Sequence, residues 1–216
     1  GLPLAEADFE KDIERRRSGI KGTTPRKEAD RIKILSGVFN DKTTGAPMLL
    51  LFENTNIRSS DYLNLIDTPR PGHADFTASV KFGGFNDFRG SGHFSGRLTL
   101  GLVAAGVIAK KILKTFEFNA YLKEAGGIID IEKAVDNAMK ECDSIGGIVE
   151  CRIRGVPAGL GEPFFDSVES LISHIIFAIP AVKGIEFGSG FAAAKMKGSL
   201  HNDRIISLNG KTDTNN

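Results

Sequence analysis

Arginine, histidine and a glycine–serine turn crowd into two stretches, Pro69-Arg70-Pro71-Gly72-His73-Ala74-Asp75 and Arg89-Gly90-Ser91-Gly92-His93-Phe94-Ser95-Gly96-Arg97. Arginine offers planar, bidentate donors to carboxylate and phosphate. A glycine–serine turn leading into a helix offers backbone N–H groups and a positive helix end to an anion. Histidine supplies a proton near neutral pH. Together these residues ask for a small, strongly negative ligand with a proton moved beside it.

The elements around them are readable from periodicity. Residues 4–17 form a helix with Phe9 and Ile13 on one face and Arg15, Arg16 and Arg17 in the last turn. Residues 31–39 and 47–53 read as strands joined by a polar turn. Residues 61–87, rich in Gly, Pro and Asp, read as a loop, where sites commonly sit. A helix follows from Ser95 to about Lys114, kept thin by Ala104, Ala105, Gly106 and Ala109. Residues 131–142 are a second helix, and residues 148–155 alternate as a half-buried strand. Asp166, with Glu169 three residues on, marks the start of an apolar-striped helix. Residues 184–190, 191–197 and 204–208 read as short strands. Gly1-Leu2 before Asp8 and Gly159-Leu160 before Asp166 repeat one spacing, a weak hint of a duplicated unit.

Composition bounds the rest. A chain of 216 residues allows one or at most two domains, read here as a single one, and 41 % apolar residues suit a globular protein with a sizeable core. The formal net charge of +1 makes the positive character local and speaks against a nucleic-acid binder, which is more often basic overall. Cys142 and Cys151 match no metal-ligand spacing and read as reduced, packed thiols of a cytosolic protein. The longest apolar run, residues 98–109, is too short to span a bilayer, and no signal peptide is seen.

Each motif has a plainer reading. Arg15, Arg16 and Arg17 complement the negative end of a helix dipole, and three consecutive side chains cannot all line one pocket. His73 follows a Pro-Gly turn and could bond backbone, but Arg70 and Asp75 beside it favour a chemical role. Gly90-Ser91-Gly92 is neither a Walker loop nor a dinucleotide fingerprint, so it is an anion nest or a flexible turn. His174 and His201 read as structural or exposed. Neither a Ser–His–Asp order nor a His-x-x-x-His pair appears, which leaves hydrolase and metalloenzyme readings little support.

The chain resembles the chorismate synthase family. The matching stretches are Arg15-Arg16-Arg17, Ile34-Leu35-Ser36-Gly37-Val38-Phe39, Thr43-Thr44-Gly45, Arg70-Pro71-Gly72-His73-Ala74-Asp75, Asp87-Phe88-Arg89-Gly90, Val103-Ala104-Ala105-Gly106, Asp143-Ser144-Ile145-Gly146-Gly147, Gly155-Val156-Pro157-Ala158-Gly159-Leu160-Gly161-Glu162-Pro163 and Ala181-Val182-Lys183-Gly184-Ile185-Glu186. They run in family order over nearly the whole chain.

The resemblance implies an α+β fold, a β-α-β sandwich with central helices between antiparallel sheets, assembled as a homotetramer in the cytoplasm. It implies a carbon–oxygen lyase that removes phosphate and a ring proton from 5-enolpyruvylshikimate 3-phosphate by anti 1,4-elimination to give chorismate. The family requires reduced FMN (FMNH2), with NADPH a candidate reductant, and no nucleic-acid or membrane partner is expected. Carried over by position, His73 is the histidine beside the flavin. Arg70 and Arg97, with Ser95, match substrate positions. Arg16 and Lys21 match the pair for substrate or NADPH, with Lys21 standing for an arginine in a loop one residue shorter, and Arg26 is a further phosphate contact. His93, Phe94 and Ser95 match the flavin-binding triplet, and Asp213 and Thr214 a second flavin-contacting pair. The triplet departs from the usual Arg-Ser-Ser in two positions, and Leu98 stands where a glutamate is usual. Three family segments are expected to be missing from residues 1–216: an N-terminal Gly-Glu-Ser-His-Gly motif with a second catalytic histidine, an insertion near residues 126–130, and C-terminal Arg-x-Asp, Asn-Gly-rich and Lys-Pro-Thr segments. Two rivals remain: a fragment or paralogue that binds phosphorylated acid or flavin without turnover, and a polyanion binder working through residues 15–26.

Overall fold

The computed structural model describes residues 1–24, 28–54, 59–65, 67–208 and 210–214. These residues group into two compact units, Gly1–Val156 and Pro157–Asn216. The class is α+β, and the strand pairs that form are all antiparallel.

In the first unit a 3-10 turn at Glu6–Phe9 runs into helix α1, Glu10–Arg16. Phe9 and Ile13 lie one turn apart and are buried with Leu4, as their spacing requires. Strand β1, Ile32–Ser36, pairs with β4, Leu49–Phe52, while the two-residue strands β2, Val38–Phe39, and β3, Lys42–Thr43, close the intervening turn. Alternation puts Ile32 and Ile34 opposite Phe52 and Leu50 on the inner face. Helix α3, Thr99–Ile112, adds Leu100, Ala104 and Val107 to the same core. Lys110 and Lys111 clip α3 to the first helical segment through Asp12 and Asp8, each at 2.6 Å. The apolar run read as a core helix is therefore one. Helices α1 and α3 thus lie over an antiparallel sheet, and Arg15 of α1 donates to the carbonyl of Ala120 in a second sheet, 2.6 Å away.

That second sheet pairs β5, Glu117–Ala125, with β6, Gly147–Arg154. Its polar face gathers Tyr121, Lys123 and Arg152 around Glu150 at 2.6 to 2.7 Å. The opposite face bears the expected apolar residues, but Val149 is 67 % exposed and Ile153 39 %, so in this unit it is less covered than a half-buried strand would be. Cys142 and Cys151 are free thiols as expected, yet exposed rather than packed. Helix α4, Ile131–Lys140, starts at Asp130, whose side chain accepts the Lys133 N–H at 3.2 Å, and buries Ala134 and Ala138.

Residues 61–87 are not all loop. A 3-10 segment covers Ser59–Leu65, and helix α2 covers Asp75–Lys81, the acid at its first position suiting the positive helix end.

In the second unit helix α5, Val168–Ile176, is capped by Ser167, which accepts the Ser170 N–H at 3.2 Å. The cap is thus Ser167, not Asp166. Asp166 instead closes a 3-10 turn, its carbonyl accepting from Glu162 N–H at 2.9 Å. The strands expected from residue 184 onward are replaced by a 3-10 segment, Gly190–Lys195, a short helix α6, Gly198–His201, and one isolated bridge between Ile205 and Thr212. Runs of Ala and Gly carry little alternation, so the strand pattern there was spurious.

Candidate functional site

Two clusters of charged side chains form in the first unit, and the segment from Ser91 to Arg97 takes part in both. The first is built on the Pro-Gly-His turn. Arg70 donates from Nε and Nη2 to the two carboxylate oxygens of Asp75, each at 2.8 Å, a forked pair of charge-assisted bonds. The same carboxylate accepts the Arg70 backbone N–H at 3.0 Å, which closes the turn onto the start of α2. Held this way by Arg70, the Asp75 carboxyl titrates at about 2, well below the usual carboxylate range. Nη2 of Arg70 also donates to Ser91 Oγ at 2.7 Å. The His73 ring turns Nδ1 toward this group, 3.3 Å from Arg70 Nη2 and 3.5 Å from Asp75 Oδ1. The aromatic ring of Tyr62 lies 6.0 Å from the Arg70 guanidinium.

Ser91 can reach Arg70 because the chain around it is left-handed. Gly90, Ser91 and Gly92 have φ of 61°, 70° and 49° in succession. At Gly92 a Cβ would stand 2.7 Å from the Asp87 carbonyl oxygen, so a side chain has no room there. The Ser91 N–H folds back to Phe88 carbonyl at 3.3 Å. What the turn offers to its surroundings is therefore the serine hydroxyl, and its ligand is Arg70.

Beside the turn a cleft of about 270 Å³ is lined by Phe82, Phe85, Phe88 and Phe94, with Asp75 and His93 among its polar residues. Phe82 and Phe94 face each other at 6.4 Å between ring centres.

The second cluster centres on Asp30, the buried acid of this unit. Arg97 Nη1 lies 2.7 Å from its Oδ1 and also pairs with Glu28, while Arg16 Nη1 lies 3.6 Å from Oδ2. Arg16 is further held by Thr99 Oγ1 at 3.1 Å and the Gly96 carbonyl at 3.2 Å. Ser95 caps the turn before α3, its hydroxyl accepting the Arg97 N–H at 3.2 Å. The three arginines of α1 do diverge: Arg15 reaches Ala120, Arg16 this cluster, and Arg17 the Ala29 carbonyl at 2.7 Å.

The structure therefore brings Arg70 and His73 together, and Arg16 with Arg97; His93 and Phe94 line the cleft and Ser95 supports Arg97. Lys21 goes elsewhere. It pairs with Asp136 of α4 at 2.5 Å, which raises its pKa, and it remains largely exposed. Arg26 lies outside the described residues. Asp213 and Thr214 belong to the second unit, where Asp213 holds Arg204 at 2.9 Å and Thr214 donates to Asp203 at 2.6 Å. The sequence reading passed over Asp30 and Glu28, and it did not count Asp75 and Ser91 as site residues. Asp75 carried a signal, its place two residues after His73; Asp30 carried none, since its partners are remote in sequence. Among the described residues no cluster of His, Cys, Asp and Glu could hold a metal ion, and no helix is long and apolar enough to cross a membrane.

A family model described as chorismate synthase matches residues 1–216. The chain belongs to the chorismate synthase family. The chorismate synthase of Chitinophaga pinensis is 63 % identical over 216 residues, covering 100 % of this chain and 65 % of its own length. That alignment is as long as the chain itself, so this relative of the family inserts nothing at residues 126–130. There Gly126 and Gly127 close β5 onto Ile128 by two backbone hydrogen bonds with Ala125, at 2.9 and 3.0 Å. The chorismate synthase of Korarchaeum cryptofilum is 45 % identical over 241 residues, with 98 % of this chain and 67 % of its own length covered. A crystal structure of chorismate synthase superimposes with a TM-score of 0.75 at 26 % identity, over 98 % of this chain and 69 % of that one. The family's mixed α+β fold is thus the fold seen here, and the chain spans about two thirds of the length of the relatives it matches.

Proposed function

We propose that the protein carrying this chain is a chorismate synthase, a carbon–oxygen lyase that converts 5-enolpyruvylshikimate 3-phosphate to chorismate and inorganic phosphate. In that reaction the allylic C–O bond to phosphate breaks, phosphate leaves with the bonding pair, and a ring C–H bond breaks to supply the electrons of the new double bond, its proton balancing the released phosphate as hydrogen phosphate. The observation that carries this reading is the arrangement of Arg70 beside His73, with Arg16 and Arg97 gathered on Asp30 at the far end of the same short segment. A ligand with two carboxylates and a phosphate needs several guanidinium groups from different parts of the chain, and a nearby group that can hold a proton.

The cleft residues fit a reduced flavin. A planar tricyclic ring needs apolar faces and a few polar edge contacts; Phe82, Phe85, Phe88 and Phe94 supply the former, and His93 and Asn86 the latter. His93, Phe94 and Ser95 would hold it. Reduced FMN, when bound, lends electron density to the allylic centre as phosphate departs. The chain's own residues do the remaining work. Arg70 and Arg97, with Arg16 and the candidate contact Arg26, neutralise the anion and hold the leaving phosphate; Lys21, tied to Asp136, is the least supported of the set. His73 holds a proton at the ring nitrogen that does not face Arg70 and Asp75. NADPH as reductant, a homotetramer and a cytoplasmic setting complete the proposal by family likeness alone.

The test is anaerobic. Full-length protein with reduced FMN and 5-enolpyruvylshikimate 3-phosphate should release phosphate and chorismate in equal amounts. Tight binding of FMN and substrate with no phosphate release would reject the lyase and leave a binding protein. Salt-sensitive binding to nucleic acid without affinity for FMN would reject both.

A further inference from the structure

We infer that Asp75 is a positioning residue that locks Arg70 and His73 into one unit, so that each presents a single defined edge to the ligand. The inference rests on the proposed function only for what the ligand is. Asp75 opens α2 with a side chain only 12 % exposed, and one carboxylate serves three groups of the preceding turn. It accepts the Arg70 backbone N–H, fixing the turn, and both Nε and Nη2 of the guanidinium. Ser91 Oγ takes Nη2 from a second direction. Those contacts use the Nε–Nη2 side of the fork. Nη1 has no partner among the described residues, so it is the edge left to an incoming anion. Lysine could not reproduce this, having no second edge to anchor.

The same pair of charges orients His73. Its Nδ1 lies between Arg70 Nη2 and Asp75 Oδ1, the two charged groups that face the ring. With Nδ1 turned inward, Nε2 is the nitrogen available for proton exchange. Removing the carboxylate would free the guanidinium to rotate and would leave the imidazole beside an uncompensated cation. A misplacement of about 1 Å in either group is enough to cost a rate of order 10²-fold.

The experiment compares wild type, Asp75→Asn, His73→Ala, Arg70→Ala and the two double variants that combine Asp75→Asn with His73→Ala or with Arg70→Ala, all in the full-length protein. Histidine side-chain nitrogen resonances are recorded first, with the His73 signals identified by their loss in His73→Ala. Asp75→Asn should shift both His73 nitrogens without ligand present; unchanged resonances overturn the inference. Kinetics then divide the effect. Asp75→Asn should lower kcat/KM about 10- to 100-fold. Its kcat loss should not add to that of His73→Ala, nor its KM rise to that of Arg70→Ala. Fully multiplicative losses overturn the inference. Should Asp75→Asn fail to fold, Asp75→Glu replaces it and should move the same resonances in the same direction by less; no movement is again fatal. A wild type without turnover sinks the lyase reading instead, while the resonance comparison still judges Asp75.

Discussion

Arg97 lies 2.7 Å from a carboxylate oxygen of Asp30, and Asp30 is only 3 % exposed. A buried acid between two arginines is stable only while its partners stay. Asp30 also has a φ of 42°, a left-handed conformation that Asp and Asn tolerate better than Ala. Asp30→Asn should therefore destabilise the fold by about 1–3 kcal/mol, since the arginines are partly open to water. Asp30→Ala should cost roughly 1 kcal/mol more. Urea unfolding of both variants checks the order, and equal midpoints for Asp30→Asn and wild type would contradict it.

The Asp75–Arg70 pair makes stability depend on acid. The folded carboxyl titrates at about 2, below the ordinary 3.8, because Arg70 bonds its charged form. A depressed pKa contributes stability above the unfolded value, and that stability is lost as pH falls through the folded one. The stability gap between wild type and Asp75→Asn should thus be full at pH 5 and shrink steadily toward pH 2. Chemical denaturation at several pH values measures it; a gap that widens on acidification would refute the pairing.

Local pattern carried the core and much of the site into the sequence, and long-range pairing did not. Phe9 and Ile13 announced α1 by their spacing, and Val149, Cys151 and Ile153 announced β6. The Pro-Gly-His turn stood out because three chemically distinct residues are adjacent. Strand β5 was missed altogether: Glu117 to Ala125 reads as mixed, and it is a strand because β6 supplies its hydrogen bonds. Helix α2 was hidden by Pro69, Pro71 and Gly72 before it and Gly83 and Gly84 after it, and is only two turns long. Lys21 was read by position in a family pattern, yet its side chain answers to Asp136, a partner no local pattern could reveal.

On the proposed function, Arg97 and the cleft phenylalanines serve different ligands. Arg97 faces acids, and its segment lines the aromatic cleft through Ser91, His93 and Phe94 rather than through Arg97 itself. Arg97→Ala should weaken binding of 5-enolpyruvylshikimate 3-phosphate by about 10-fold or more, the order expected for one charge-assisted contact, and FMN binding much less. Separate calorimetric titrations read the two affinities, and the reverse order would move Arg97 to the flavin.

His73 lies in the turn before α2, with a side chain 36 % exposed. Its replacement should spare the fold and remove the proton-bearing group. His73→Ala should lower turnover by roughly 10²–10⁴-fold, the usual worth of a general acid or base, with the thermal midpoint nearly unchanged. Phosphate release under anaerobic conditions with reduced FMN gives the rate. A near-normal rate would remove His73 from the chemistry.

Gly92 links the two clusters through the backbone. Its φ of 49° and ψ of −124° belong to glycine alone, and a Cβ would meet the Asp87 carbonyl at 2.7 Å. Alanine there must push Asp87 away or unwind the left-handed turn, and either change withdraws Ser91 from Arg70. Gly92→Ala should cost about 1–3 kcal/mol of stability. It should also raise KM, because Arg70 loses one of its two anchors while Asp75 remains. Ser91→Ala isolates the second effect, since it removes the hydroxyl without straining the backbone. The prediction is that Ser91→Ala reproduces the KM rise of Gly92→Ala without its loss of stability, read by steady-state kinetics and urea unfolding on the two variants side by side. If Ser91→Ala leaves KM untouched, the hydroxyl does not help hold Arg70 in its working position.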